Sequence, residues 1–305
     1  MSGEFSDIDT LVLSGGSIKG YAYIGVFKKL DELGIISNIK KISACSSGAI
    51  FALLVVLKYS YSEMIELLNK IKNLSIYNFN ITSFLTDFGF DDFANIKSII
   101  TLILESKNLQ INTTFAKLHE YNDIEFIINS TCLTSKKTEY FSVLNYPNMP
   151  IIDAIQMSTA IPFIYTYVKF NNKYYVDGGV LDNLPISFDD NVDKSKILAV
   201  LLVDSNHSND KQLESQNINL SQYVNLLINC IISNQYSFKI PKLNEFNVIK
   251  IFCNINIFSY PIETHTIDSL IKCGYYQTNC YLSYFTQKKN NKVLSKKKIH
   301  IRFKK

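Results

Sequence analysis

Hydrophobic positions along the chain follow two rhythms. Thr10–Leu13 (TLVL) and Lys41–Ala44 are short, mostly apolar runs, each stopped by small residues, the pattern of buried strands that end at turns. After each run the spacing becomes helical. Tyr23, Ile24, Val26, Phe27 and Leu30 predict a helix from about Lys19 to Leu33, closed by Gly34. Ser47–Lys58 is apolar on nearly every side, which predicts a buried helix.

Farther along, residues 60–120 read as mostly helical, with a looser stretch near 75–92. Glu125–Leu133 is rich in β-formers, and Thr138–Val143 is expected to pair with it. Pro150 opens a helix that Pro162 ends. Phe163–Phe170 and Lys173–Val176 flank Asn171-Asn172, a hairpin signal. Ile197–Val203 and Val248–Ile257 read as strands, Leu220–Ser237 and Ile267–Phe285 as helices. Strands alternating with helices predict one α/β domain, a mainly parallel sheet with helices on both faces, over residues 1–287. Neither an internal repeat nor a linker divides it.

Composition narrows the class. The chain has 305 residues, 47% apolar and 19% charged, enough to bury a sizeable core and too few charges for a disordered chain. Its longest apolar run, Ala49–Leu57, has nine residues, against the roughly 18–20 that span a bilayer. Residues 1–9 carry acids where a secretory leader carries bases, and the six scattered cysteines form no CxxC pair. The expectation is a cytoplasmic protein with buried free thiols and no zinc.

The net charge of +4 is unevenly spread. Residues 288–305 hold nine basic residues and no acid, which leaves 22 basic against 27 acidic, a net of −5, in residues 1–287. Such a basic tail is either a solvated end or an attraction to anionic headgroups at a membrane surface. No aromatic-interleaved patch points to nucleic acid.

Three segments carry candidate chemistry. Ala44-Cys45-Ser46-Ser47-Gly48 places Ser46 on a strand-to-helix turn between small residues, the logic of a nucleophile elbow. The helix beginning at Ser47 aims N–H groups and its positive end toward a developing oxyanion. Ser14-Gly15-Gly16-Ser17-Ile18-Lys19-Gly20 can expose consecutive backbone N–H groups as an anion nest, and it matches neither GxGxxG nor the P-loop pattern. Asp177-Gly178-Gly179 follows a strand and leaves a carboxylate uncovered. Each segment alone has an ordinary reading as a turn.

Taken together they resemble the patatin-like phospholipase family. Gly15 to Gly20 with Tyr23-Ile24-Gly25-Val26 resembles its oxyanion motif, and Ser46 with Gly48 its GxSxG elbow. Ser158-Thr159-Ala160-Ile161-Pro162, Asp177-Gly178-Gly179 and Asn183-Leu184-Pro185 resemble its later motifs, in the same order, within residues 9–205. The resemblance implies a Ser46–Asp177 dyad without histidine, metal or cofactor, acting on phospholipid or glycerolipid esters. It implies an oxyanion hole from Gly15, Gly16, Ser17 and Ser47, with Lys19, Gly20, Gly48, Gly178 and Gly179 in support. His119, His207, His265 and His300 lie outside the motifs; His207 alone is kept as a remote third residue.

Two positions depart from the pattern: Ser17 stands for the third glycine of the oxyanion turn and Ala44 for the first of the elbow. They motivate an alternative, a weak or inactive relative that binds lipid or a protein partner. A nucleotide-binding protein using the Gly15–Gly20 loop is a third reading.

Overall fold

Thr10–Leu13 forms β1 and Lys41–Cys45 forms β2, paired in parallel with Leu13 opposite Ala44. The computed structural model describes residues 5, 7–71, 80–186, 188, 193–204, 220–243, 245–253, 255 and 263–302. Further strands are β3 (Gly89–Asp91), β4 (Glu125–Cys132), β5 (Lys137–Phe141), β6 (Phe163–Tyr165), β7 (Val168–Phe170), β8 (Lys173–Val176), β9 (Ile197–Asp204) and β10 (Asn247–Cys253). The helices are α1 (Ala22–Glu32), α2 (Ser47–Val56), α3 (Tyr61–Ile71), α4 (Ile81–Asp87), α5 (Ala94–Glu105), α6 (Phe115–Asn122), α7 (Ile151–Thr159), α8 (Leu220–Leu243) and α9 (Thr264–Arg302).

The main sheet has eight strands, in the order β10-β9-β1-β2-β4-β8-β7, with β5 also on β4. From β10 to β4 all pairs are parallel, while β5, β8 and β7 join antiparallel, so the sheet is mixed. Connection length explains the division. Helical crossovers link the parallel strands, whereas Asn171-Asn172, both at positive φ, make the two-residue turn of the β7–β8 hairpin.

Strand alternation sends Leu11 and Leu13 to one face and Val12 to the other. The larger core lies with α1, α2, α7 and α9. A smaller one joins Val12, Ala199 and Leu201 to Leu184, Ile186 and Leu243 of α8. Helices therefore cover both faces, as the apolar strands predict.

Four local expectations are corrected. The predicted Phe163–Phe170 strand divides: β6 pairs with β3 in a separate two-stranded sheet, and only β7 joins β8. Alternation of side chains does not reveal which strand will be the partner. The helix expected from Lys19 begins at Ala22, after a 3₁₀ turn over Ser17–Tyr21 that starts with Ser17 at φ +49°. The helix expected at Ile267–Phe285 runs from Thr264 to Arg302 and so takes in most of the basic segment. The six cysteines are free, but Cys230 and Cys280 are exposed rather than buried.

Candidate active site

Strand order reverses at β1: the chain moves from β1 to β2 on one side, and β9 lies on the other. In open α/β sheets such a point leaves a crevice at the carboxyl edge. Ser14–Ser17 and Ser46 stand there, at the ends of β1 and β2. The backbone at Ser46 has φ +51° and ψ −129°, a conformation that costs a side-chain-bearing residue on the order of 1–3 kcal/mol. Its surroundings hold it there. Ser46 N–H donates to Ser158 Oγ at 2.8 Å, and Ala49 N–H donates to the Ser46 carbonyl at 2.8 Å.

Gly48 shows why the elbow needs small residues. A Cβ at that position would lie 2.6 Å from the Ser14 carbonyl oxygen, because α2 crosses directly over the end of β1. Ala44 is different. It is fully buried in the larger core, where its methyl takes part in the packing.

Asp177 arrives from β8. Ser46 Oγ donates to its Oδ2 at 2.5 Å, and Gly179 N–H donates to its Oδ1 at 2.7 Å. Burial is the largest influence on this carboxyl and raises it from 3.8 to about 7, against the two hydrogen bonds, which lower it. Gly178 passes close to β4: a Cβ there would lie 2.7 Å from the Asn129 carbonyl oxygen.

Residues with no assigned role in the sequence reading hold these two in place. Ser158 and Ala160 lie at the end of α7. Ser158 receives the Ser46 N–H, and the Ala160 carbonyl receives the Asp177 N–H at 2.8 Å. One helix end thus positions both partners. Gln235 of α8 donates from Nε2 to the carbonyls of Gly179 and Val180, each at 2.8 Å, and its Oε1 accepts from Asn183 N–H at 2.9 Å. The Ser158–Pro162 motif was a visible signal for α7. Nothing in the sequence points to Gln235.

The glycine turn lies opposite. Gly15 N–H donates to the Asn183 carbonyl at 3.1 Å, so this group is committed away from Ser46, while Gly16 N–H donates to Ser47 Oγ at 3.1 Å. Ser17 and Ser47 face the cleft that contains Ser46. Lys19 is buried and pairs with Asp204 at the end of β9, 3.6 Å away, which ties the turn to the sheet. Gly20 is buried in the 3₁₀ turn, beside Phe51.

Beyond Ser46 the cleft is apolar, with about 960 Å³ of empty space counting its open mouth. Ile50 and Leu54 of α2, Leu67 and Ile71 of α3, and Ile99 and Ile103 of α5 form its walls. Part of the helical stretch at 60–120 therefore lines the site. His119 bonds to the Ile124 carbonyl and His265 sits beside Glu263, both away from the cleft. His207 and the side chain of His300 lie outside the described residues. Among those residues, no group of three or more His, Cys, Asp or Glu side chains is placed to hold a metal ion, and no helix is long and apolar enough to cross a membrane.

A sequence profile of the patatin-like phospholipase family matches residues 11–189, more than half of the chain, and covers the glycine turn, the elbow and the aspartate loop. The chain belongs to the patatin-like phospholipase family. One relative, uncharacterized protein R571 of Acanthamoeba polyphaga mimivirus, is 29% identical over 279 residues, 88% of this chain and 92% of that protein. Probable lipid hydrolase 463L of Invertebrate iridescent virus 6 is 29% identical over 180 residues, 58% of this chain and 61% of that one. Among solved structures, VipD from Legionella pneumophila superposes with a TM-score of 0.61 at 18% identity, covering 91% of this chain and 67% of VipD. ExoU of Pseudomonas aeruginosa, in complex with SpcU, gives 0.50 at 16% identity, covering 90% of this chain and 53% of that one. At these identities the two structures show a shared fold alone.

Proposed function

We propose that this chain is a serine lipid acyl hydrolase that cleaves phospholipid or glycerolipid esters through a Ser46–Asp177 dyad. The observation that carries this reading is the 2.5 Å contact between Ser46 Oγ and Asp177 Oδ2 beside an apolar cleft. Membership of the family and the likeness to a probable lipid hydrolase support it.

In the first step Asp177 takes the Ser46 hydroxyl proton as Oγ attacks the ester carbonyl. Gly15 and Gly16 give their N–H groups to Asn183 and to Ser47 Oγ, so the N–H groups of Ser17 and Ser47 are the candidates to hold the oxyanion, Ser47 because the first turn of α2 leaves its N–H groups without intrahelical partners. Asp177 then returns the proton to the leaving alcohol, and the acyl group remains on Ser46. Water gives a proton to Asp177 and its oxygen attacks the acyl carbonyl. The fatty acid leaves and Ser46 Oγ recovers the proton. A carboxyl near pH 7 suits a base that must both take and give a proton. The acyl chain occupies the cleft between α2, α3 and α5. Residues 1–287 form the catalytic domain in this reading, and the basic residues 288–305 add electrostatic attraction to membranes.

A fluorophosphonate probe tests the proposal. An adduct on Ser46 by intact mass and peptide mapping, absent in Ser46→Ala and Asp177→Asn, is the expected result. No adduct on folded protein would overturn it. The second reading, a patatin-like protein that binds lipid or a partner without turnover, is favoured by one feature: Ser17 holds φ +49° where glycine is the easy residue.

A further inference from the structure

One part of the carboxyl edge takes no part in the chemistry above. On α4, Ile81 and Leu85 are 72% and 74% exposed, and Phe88, which caps the helix, is 64% exposed. Their i, i+4, i+7 spacing is that of a stripe which a surface helix normally turns toward the core. Beside it runs a groove lined by Phe88, Leu133, Phe163, Tyr167 and Tyr174. Of these, Leu133, Phe163 and Tyr174 are themselves exposed. Single exposed apolar residues are ordinary, but a contiguous set marks a contact surface.

Several observations bear on what that surface contacts. Tyr165 lines both this groove and the Ser46 cleft, so the face adjoins the site where the proposed enzyme takes its substrate. The rings are of the kind that settle at a headgroup boundary. Cations stand around them: Lys136 in the turn after Leu133 and Lys137 at the start of β5 are exposed, and Lys169 Nζ lies 5.9 Å from the Tyr174 ring centre. Asp87 is the acid among the lining residues.

We infer that α4, the 133–136 turn and the β7–β8 hairpin form a membrane-docking face, which seats the cleft mouth on a lipid surface that carries anionic headgroups. The inference rests on the lipid-directed reading of that cleft. It places docking on the folded domain itself, apart from the basic segment 288–305.

The test is co-sedimentation of the full chain with vesicles of phosphatidylcholine, with and without phosphatidylserine. Leu85→Asp combined with Phe88→Asp is expected to lower partitioning about tenfold or more on both vesicles. Lys136→Glu with Lys169→Glu should remove several-fold of the anionic preference and spare the rest. Leu144→Asp, at a 78% exposed apolar position just after β5 and outside the groove, should change nothing. Each variant should keep wild-type fluorophosphonate labelling without vesicles, which reports an intact fold. Wild-type partitioning of the Leu85/Phe88 variant, or no binding of the wild type to either vesicle, overturns the docking face. Vesicle binding that depends on Leu85 and Phe88 without any labelling of Ser46 would sink the hydrolase reading and support the docking face.

Discussion

Ser46 and Asp177 meet at 2.5 Å and share one distant anchor, the end of α7, yet most of what holds each of them differs. Ser46 stands on a strand, a turn and a helix that are consecutive in sequence, and Gly48 lets α2 lie against the end of β1. Asp177 stands at the start of a loop fastened by remote residues: Ala160 on its N–H, Asn129 against Gly178, and Gln235 on the carbonyls of Gly179 and Val180. A serine positioned mostly by local geometry, with the Ser158 bond added from afar, is the more robust to distant change. An acid positioned by distant contacts is less so.

The largest expected effects remove the proposed dyad itself. Ser46→Ala should lower esterase turnover by at least about 10³-fold and abolish labelling. Asp177→Asn should cost about 10³–10⁴-fold while leaving the fold intact by circular dichroism. Residual labelling of Asp177→Asn at the wild-type rate would break the comparison, since Ser46 would then be activated by something else.

Asp177 also sets a pH dependence. With the carboxyl raised to about 7, hydrolysis should increase as pH climbs through that value. Stability runs the other way. The folded carboxyl holds its proton between about pH 4 and pH 7, where the unfolded one has lost it, so this contribution is complete below about pH 4 and is lost as pH rises through 7. At pH 8, Asp177→Asn should therefore melt at or above the wild-type temperature in calorimetry. A clear fall in melting temperature would contradict a carboxylate held at a desolvation cost.

A smaller effect sharpens the contrast. Gln235→Leu removes three hydrogen bonds to the aspartate loop and nothing from the elbow. Turnover should drop about 10–100-fold with KM nearly unchanged, since a displacement near 1 Å is costly. An equal change in KM would point to a disturbed cleft instead. The smallest change comes at Ser17→Gly, which relieves the left-handed backbone and should raise stability by up to about 1 kcal/mol, measured by urea unfolding.

How much of this was legible follows the same division. The glycine turn, the elbow and Asp177-Gly178-Gly179 could be found because each needs small residues at set positions within a few residues of chain. Ser158 and Ala160 lay inside a visible motif, but their tasks did not show. A hydrogen bond over 112 residues, from Ser46 to Ser158, leaves no periodic trace. Gln235 gave no signal at all, since a glutamine on a long helix reads as an ordinary solvated residue. The split of Phe163–Phe170 between two sheets was hidden for the same reason: alternation sets the faces of a strand and is silent on its neighbour.

The sequence by itself determined the alternation of strands and helices, the two-faced core and the small-residue turns that carry Ser46 and Asp177. These depend on hydrophobic period and on residue size at turns, which are local properties. Tertiary structure alone decided that Asp177 is buried beside Ser46, that Gly15 spends its N–H on Asn183, and that α4 keeps an apolar stripe in solvent. Burial and long-range hydrogen bonding depend on which segments the folded chain brings together, and chain order does not encode those meetings locally.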